Sequence, residues 1–302
     1  MEIKAGDLVK KLRKESGLKK EEFADEICIS VRTLTRIESD DAKIDPLTFV
    51  FVMEKFGNPT QDFWLLYLES DEYGIYKKYK KLRRFIRDND IELAKAIISE
   101  IESSKFIRNP FIEQYISYAK IVVGSELHAH EKVNELWNVL YISHKNFDES
   151  KLKEKRLTYI EISILSLISS QLFKIGDHNR AIKILEDIIE SRSECYATEE
   201  DRGMLYPMLM FNLSNFLGKC GRYKESLAMC CEALDIGIQY NNLRFIPHLW
   251  YNIACNSDKL GEDKPVIKKY LIRAYQCALG IKNLKVADKI KSDASNSFDI
   301  EL

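Results

Sequence analysis

Between Leu18 and Glu38 the chain reads LKKEEFADEICISVRTLTRIE, and the residues able to do chemistry lie in its last third. Arg32 and Arg36 stand four residues apart with Thr33 and Thr35 between them. At helical spacing, Val31, Arg32, Thr35 and Arg36 share one side while Leu34 and Ile37 share the other. Two guanidinium forks with threonine hydroxyls and methyls beside them suit the edges of base pairs. Arginine reaches guanine bidentately, and threonine offers either a hydrogen bond or a methyl contact. Ser30 precedes them as an N-cap, its hydroxyl able to accept an orphan backbone N–H.

Those residues need elements to hold them. Phe23, Ala24 and Ile27 form the apolar face of a preceding helix, and Cys28-Ile29-Ser30 breaks its period. Upstream, residues 3–15 predict a helix with Leu8, Val9 and Leu12 on its core face, ended by Gly17. Downstream, SDDAKID is a loop, and Pro46 starts a helix over Leu47–Phe56 that Gly57-Asn58-Pro59 stops. The aromatic stretch 60–69 predicts a short helix packing this small domain onto the rest of the chain. Asp71-Glu72-Tyr73-Gly74 is a candidate boundary.

In register, the stretch resembles the helix-turn-helix of the Cro/repressor-like (Xre) regulators. Their Leu-Ser-Gln-Glu-Glu-Leu-Ala, small turn residue, Ile-Ser and final Arg-Ile-Glu correspond to Leu18–Ala24, Cys28, Ile29-Ser30 and Arg36-Ile37-Glu38. Lys20 replaces the usual glutamine, which the resemblance implies helps hold a phosphate, and Cys28 replaces the usual glycine. The resemblance covers residues 6–57. It implies a DNA-binding face of Lys19, Lys20, Ser30, Val31, Arg32, Thr33, Thr35 and Arg36.

The 302 residues are enough for two cores, and 45% hydrophobic with 31% charged residues is ordinary for a soluble globular chain. Twelve glycines and six prolines argue against a β-rich fold. The net charge of −1 gives no global sign of a nucleic-acid partner. Lys10, Lys11, Arg13, Lys14, Lys19, Lys20, Arg32 and Arg36 are nevertheless close in sequence, and the attraction of phosphates depends on the face presented. Seven cysteines with no CxxC fit buried, reduced thiols in a cytoplasmic protein. No window reaches 18 apolar residues, so no membrane association is expected. A run over 76–87 carries Lys77, Lys78, Lys80, Lys81, Arg83, Arg84 and Arg87, either a solvated helix face or a contact to DNA backbone.

From there to residue 290 the period is helical, and a repeat emerges around Gly176, Gly221 and Gly261. The copy around Gly221 looks like a tetratricopeptide repeat, with Ser226 and Ala233 as small positions where helices cross closely. Two more pairs precede these three, one turning at Asp88-Asn89-Asp90 and one around Gly124. The expected fold is all-α: a helix-turn-helix domain over 1–69, then about five degenerate tetratricopeptide-like pairs over 70–302 in a right-handed superhelix. Its inner face would be lined by first helices. There Ser170, Lys174, Phe211, Asn212, Asn215, Lys219, Tyr251 and Asn252 could hold an extended peptide, the asparagines clamping its backbone and the lysines drawing a carboxylate. The same asparagines could instead bridge neighbouring helices.

This architecture resembles the peptide-responsive quorum-sensing regulators of Gram-positive bacteria, the Rgg, PlcR and PrgX group. The resemblance implies a homodimer on a two-fold DNA site, with a short signalling peptide in the repeats. A phage-type repressor using its repeats only for assembly, and a protein-interaction scaffold, are the alternatives. No cofactor is expected. His128-Ala129-His130, with Glu126 and Glu131, has poor metal-ligand spacing on a helix, and no P-loop, HExxH or GxSxG occurs, so an enzyme is not expected.

Overall fold

The computed structural model describes residues 5–56, 70–105, 109–124, 127–145, 147–191, 195–196 and 198–302. Those residues are helical, with no strand among them. The stretch expected as a helix over 60–69, and the Gly57-Asn58-Pro59 stop, lie outside the described residues.

Four short helices come first: α1 (Ala5–Glu15), α2 (Lys20–Glu26), α3 (Val31–Glu38) and α4 (Pro46–Lys55). Each boundary has a local cause. Gly17 ends α1 at a φ of 67°, and Ser30 caps α3 by accepting from the Thr33 amide at 3.0 Å. Pro46 opens α4, with Asp45 accepting from the Thr48 amide at 2.8 Å. Val9, Leu12, Phe23, Ala24, Ile27, Leu34 and Ile37 close one core with Phe49, Val52 and Phe56, where Phe23 stacks on Phe56 at 4.8 Å. None of these helices is long enough to be stable alone, so packing holds them.

LTFVFVM is apolar all round, which marks α4 for burial on both faces. Its second face, Leu47, Val50 and Phe51, packs on Ile75, Tyr76 and Tyr79. These belong to α5 (Ser70–Asp88), which is followed by α6 (Ile91–Glu102), α7 (Pro110–Val123) and α8 (Ala129–Ser143). The candidate boundary Asp71–Gly74 lies within the helical span of α5. Asn89 turns α5 into α6 at a φ of 58°, as expected at Asp88-Asn89-Asp90. After a short 3₁₀ segment at Glu149–Glu154 come α9 (Tyr159–Lys174), α10 (His178–Glu190), α11 (Glu199–Lys219), α12 (Tyr223–Gln239), α13 (Ile246–Lys259), α14 (Lys264–Gly280) and α15 (Leu284–Phe298). The helices from α5 to α14 form the five expected pairs, and α15 comes after them.

Two compact units result: Met1–Lys151 with Arg156–Ile168 and Cys195–Thr198, and Leu152–Lys155 with Ser169–Glu194 and Glu199–Leu302. In the second, Gly176, Gly221 and Gly261 all take a positive φ, between 79° and 91°, at the hairpin turns. Ser226, fully buried, donates to the Ser214 carbonyl at 2.7 Å, and Ser169 donates to the Ala181 carbonyl at 2.7 Å. The same two positions are thus bonded in two successive pairs, with the donor and acceptor helices exchanged. Pro207 lies inside α11 and cannot donate to the carbonyl of Gly203. The Asn242 side chain takes that carbonyl instead, at 2.8 Å. An alanine-rich stripe, Ala254, Ala274, Ala278, Ala287 and Ala294, lets α13, α14 and α15 approach closely around Leu271 and Ile290.

Candidate nucleic-acid interface and repeat face

The α3 helix divides as its sequence requires. Leu34 and Ile37 are buried, while Val31, Arg32, Thr33, Thr35 and Arg36 are exposed together with Ser30 ahead of them. Val31 is 37% exposed, enough to offer its methyls to a thymine methyl. The Ser30 and Thr33 hydroxyls lie 2.8 Å apart, so both take part in the cap. Arg36 donates to the Asp41 carbonyl at 3.3 Å, a contact that orients its guanidinium along the end of α3.

The lysines ahead of α3 differ in role. Lys19 is exposed, and its amide is capped by Glu22 at 2.8 Å. Lys20 is half-buried: its ammonium donates to Thr35 at 3.3 Å and lies 3.7 Å from Glu38. It therefore ties α2 to α3 while keeping one side towards solvent. Arg13 and Lys11 also have acidic partners, Glu38 and Glu15. Lys10, Lys14, Lys19, Arg32 and Arg36, together with Lys43, are exposed basic residues of the head.

Cys28 occupies the turn with a φ of 58°, the left-handed geometry that a glycine would take without strain. The substitution keeps the turn. Burial pushes its thiol pKa up.

The basic run of α5 is largely engaged within the protein. Lys78 pairs with Glu100 at 2.8 Å, Lys80 with Glu54 at 2.7 Å and Arg87 with Asp88 at 3.1 Å, and Arg83 lies over the Tyr159 ring at 4.0 Å. Four of the seven charges thus have partners within the protein. His128 caps α8, with its backbone N–H donating to Glu131 at 2.7 Å. The histidine pair that invites a metal reading is thus part of a helix cap, and Glu126 lies outside the described residues. All seven cysteines are free; Cys195 and Cys230 are buried, but Cys220 and Cys231 are exposed, against the expectation of buried thiols.

In the second unit Asn252 donates to Asn215 at 2.8 Å and to Ser214 at 3.1 Å. These bonds join α11 to α13, leaving the Asn252 carbonyl and the Asn215 amide for other partners. Phe211 packs against Phe245 and His248 at 5.6 and 5.4 Å. Tyr251 donates to Asp293 at 2.8 Å, tying α13 to α15. Ser170 and Asn212 are half-buried, and Lys174 and Lys219 are exposed, with Lys219 5.8 Å from the centre of the Phe173 ring. Trp250 turns away from this set, stacked on Tyr270 and beneath Arg273.

A cluster that sequence reasoning missed lies in the first unit. Glu26, His144 and Glu161 bring ligand atoms within 4.8 Å of one another, a spacing a metal ion could use. Lys55 lies among them, 2.9 Å from Glu26 and 4.0 Å from Glu161, so the cluster is a salt-bridge network. No spacing signal could have found residues this far apart in sequence.

Fold and site together define an Xre-type helix-turn-helix head on a set of helical repeats. Residues 9–63 match the family model for the helix-turn-helix. No curated protein sequence matches the chain. Among solved structures, Bacillus thuringiensis PlcR in complex with the peptide PapR7 and DNA shares the fold, at 18% identity and a TM-score of 0.64, over 95% of this chain and 98% of that one. ComR from S. thermophilus in complex with DNA and its signalling peptide ComS aligns at 16% identity and a TM-score of 0.56, over 95% and 97%. ComR from Streptococcus vestibularis with its cognate signalling peptide XIP aligns at 14% and 0.55, over 96% and 97%. The fold of this chain is the one these regulators share, and no described helix is long and apolar enough to cross a membrane.

Proposed function

We propose that the chain is a sequence-specific DNA-binding transcriptional regulator, active in the cytoplasm, whose repeats bind a short signalling peptide that controls it. The observation that carries this reading is α3, with its apolar side buried and Arg32, Thr33, Thr35 and Arg36 turned outward in a matched helix-turn-helix. The residue-level assignment follows the sequence: residues 1–69 engage DNA through the Lys19–Arg36 set, and residues 70–302 serve peptide binding and dimerisation. A homodimer on a two-fold operator is part of the reading, because one small head contacts too few base pairs for specificity. The shared fold of regulators solved with peptide supports placing a peptide against the α9, α11 and α13 face. Nothing in the reading calls for catalysis.

The test is fluorescence anisotropy of the full chain on the DNA upstream of its own gene, at fixed salt, with and without a panel of short hydrophobic peptides. Saturable, sequence-selective binding altered by a peptide supports the reading. Selective binding that no peptide alters leaves a repressor whose repeats serve assembly. Absence of selective binding turns the reading to a scaffold.

A further inference from the structure

Four ionisable side chains from distant parts of the sequence meet where α2 and α4 of the head pack on α8 and α9. The buried Lys55 ammonium lies 2.9 Å from the Glu26 carboxylate and donates to the Glu26 backbone carbonyl at 2.5 Å. It is 4.0 Å from Glu161 Oε1. His144, at the end of α8, brings Nε2 to 3.0 Å from that same oxygen, and its Nδ1 lies 3.9 Å from Glu26. Glu161 anchors the group: it is fully buried, and it accepts from the Ser143 hydroxyl at 2.9 Å and the Thr158 amide at 2.8 Å. Gln114 backs Ser143 at 2.7 Å.

Charge counting shows what the site demands. Two carboxylates against one ammonium leave an uncompensated negative charge in a low-dielectric site, which is strongly unfavourable. A protonated His144 makes the group neutral. We propose that Glu26, Lys55, His144 and Glu161 form a proton-operated latch between the head and the first helix pairs, closed while His144 carries a proton and loosened when it does not.

The electrostatics agree with the geometry. Burial by itself would lower the pKa of His144, but the negative charges of Glu161 and Glu26 more than offset this, so its proton is held more tightly than at the ordinary 6.5. Lys55 acts in the opposite direction to the carboxylates, and the balance still lies upward. Facing the imidazole are Glu26 from α2, Lys55 from α4 and Glu161 from α9, with Cys28 near those same three groups. The ring of Phe147 lies 5.8 Å away, Lys145 is next in the chain, and Tyr196 interacts electrostatically with Glu26. A group whose folded pKa is raised contributes its stability fully below the unfolded value and loses it as pH climbs through the folded one. The latch is therefore firm in mild acid and weakens towards alkaline pH, in the range where histidine serves as a switch. This holds whether or not the head binds DNA.

The test is amide hydrogen exchange of the full chain without DNA, at about pH 5.5 and about pH 8.5, corrected for the intrinsic pH dependence of exchange. In the parent, peptides covering residues 24–30 and 156–163 lose protection about tenfold at the higher pH, relative to peptides from α13 and α14. In His144→Gln, and in Glu161→Gln, which removes the demand for the proton, that pH dependence disappears. Equal pH dependence in parent and His144→Gln, or none in the parent, overturns the proposal. Should His144→Gln fail to fold, an NMR titration of His144 in the parent decides: a midpoint above 6.5 supports the latch, and one at or below it overturns it.

Discussion

Arg13 grips Glu38 at two points, Nε to Oε1 at 2.6 Å and Nη2 to Oε2 at 3.1 Å. The pair fixes the end of α3 to α1, with the Glu38 carboxylate 3% exposed and Lys20 as a further cation. Arg13→Ala leaves that carboxylate without its main partner and is expected to lower stability by about 1.5–3 kcal/mol in urea unfolding. Burial would raise the carboxyl pKa of Glu38, but Arg13 and Lys20 together bring it below the ordinary 4.5. Its contribution is present above that value and is lost as pH falls through the lowered one. Arg13→Ala should therefore lose part of the acid sensitivity of the parent, and identical acid unfolding curves would contradict this.

Gly6 meets α3 from the other side. A Cβ there would stand 2.1 Å from the Ile37 carbonyl oxygen, which is backbone and cannot turn aside. Gly6→Ala is expected to cost about 1–3 kcal/mol or more by pushing α1 off α3. Calorimetry of the full chain checks this, with an unchanged Tm as the contrary result.

Cys28 should give the opposite sign. Glycine at this left-handed position relieves backbone strain and loses only a half-buried thiol. Cys28→Gly is expected to raise stability by up to about 1 kcal/mol. A measured loss would mean that packing of the thiol outweighs the strain.

For DNA, Arg32→Ala and Arg36→Ala should each weaken operator binding by about 1–3 kcal/mol if the contact is bidentate to a base, and relax the sequence preference there. Lys19→Ala should weaken all sequences alike and reduce the salt dependence by about one unit of slope. Operator titrations at several salt concentrations separate the two roles.

On the repeat face, structural and binding roles predict different outcomes. Asn252→Ala removes the bonds to Asn215 and Ser214 and should lower stability by about 1 kcal/mol whether or not peptide is present. Lys174→Ala, at an exposed position, should leave Tm unchanged and weaken binding of a peptide carrying a carboxylate there. Calorimetry alongside peptide titration tells these apart.

The features legible along the chain rest on short-range physics. The division of α3 into Leu34 and Ile37 against Arg32, Thr35 and Arg36 comes from helical period. The cap at Ser30 and the turns at Gly17, Gly176, Gly221 and Gly261 come from what a hydroxyl and a missing Cβ permit.

Which polar groups have partners was settled by tertiary packing alone. Lys20 is held between Thr35 and Glu38, most of the basic run on α5 meets acids or rings, and Asn252 bonds Asn215 across two helices. The meeting of Glu26, Lys55, His144 and Glu161 is the extreme case. Pairing of this kind depends on which faces pack together, and packing joins residues whose separation along the chain carries no periodic signal.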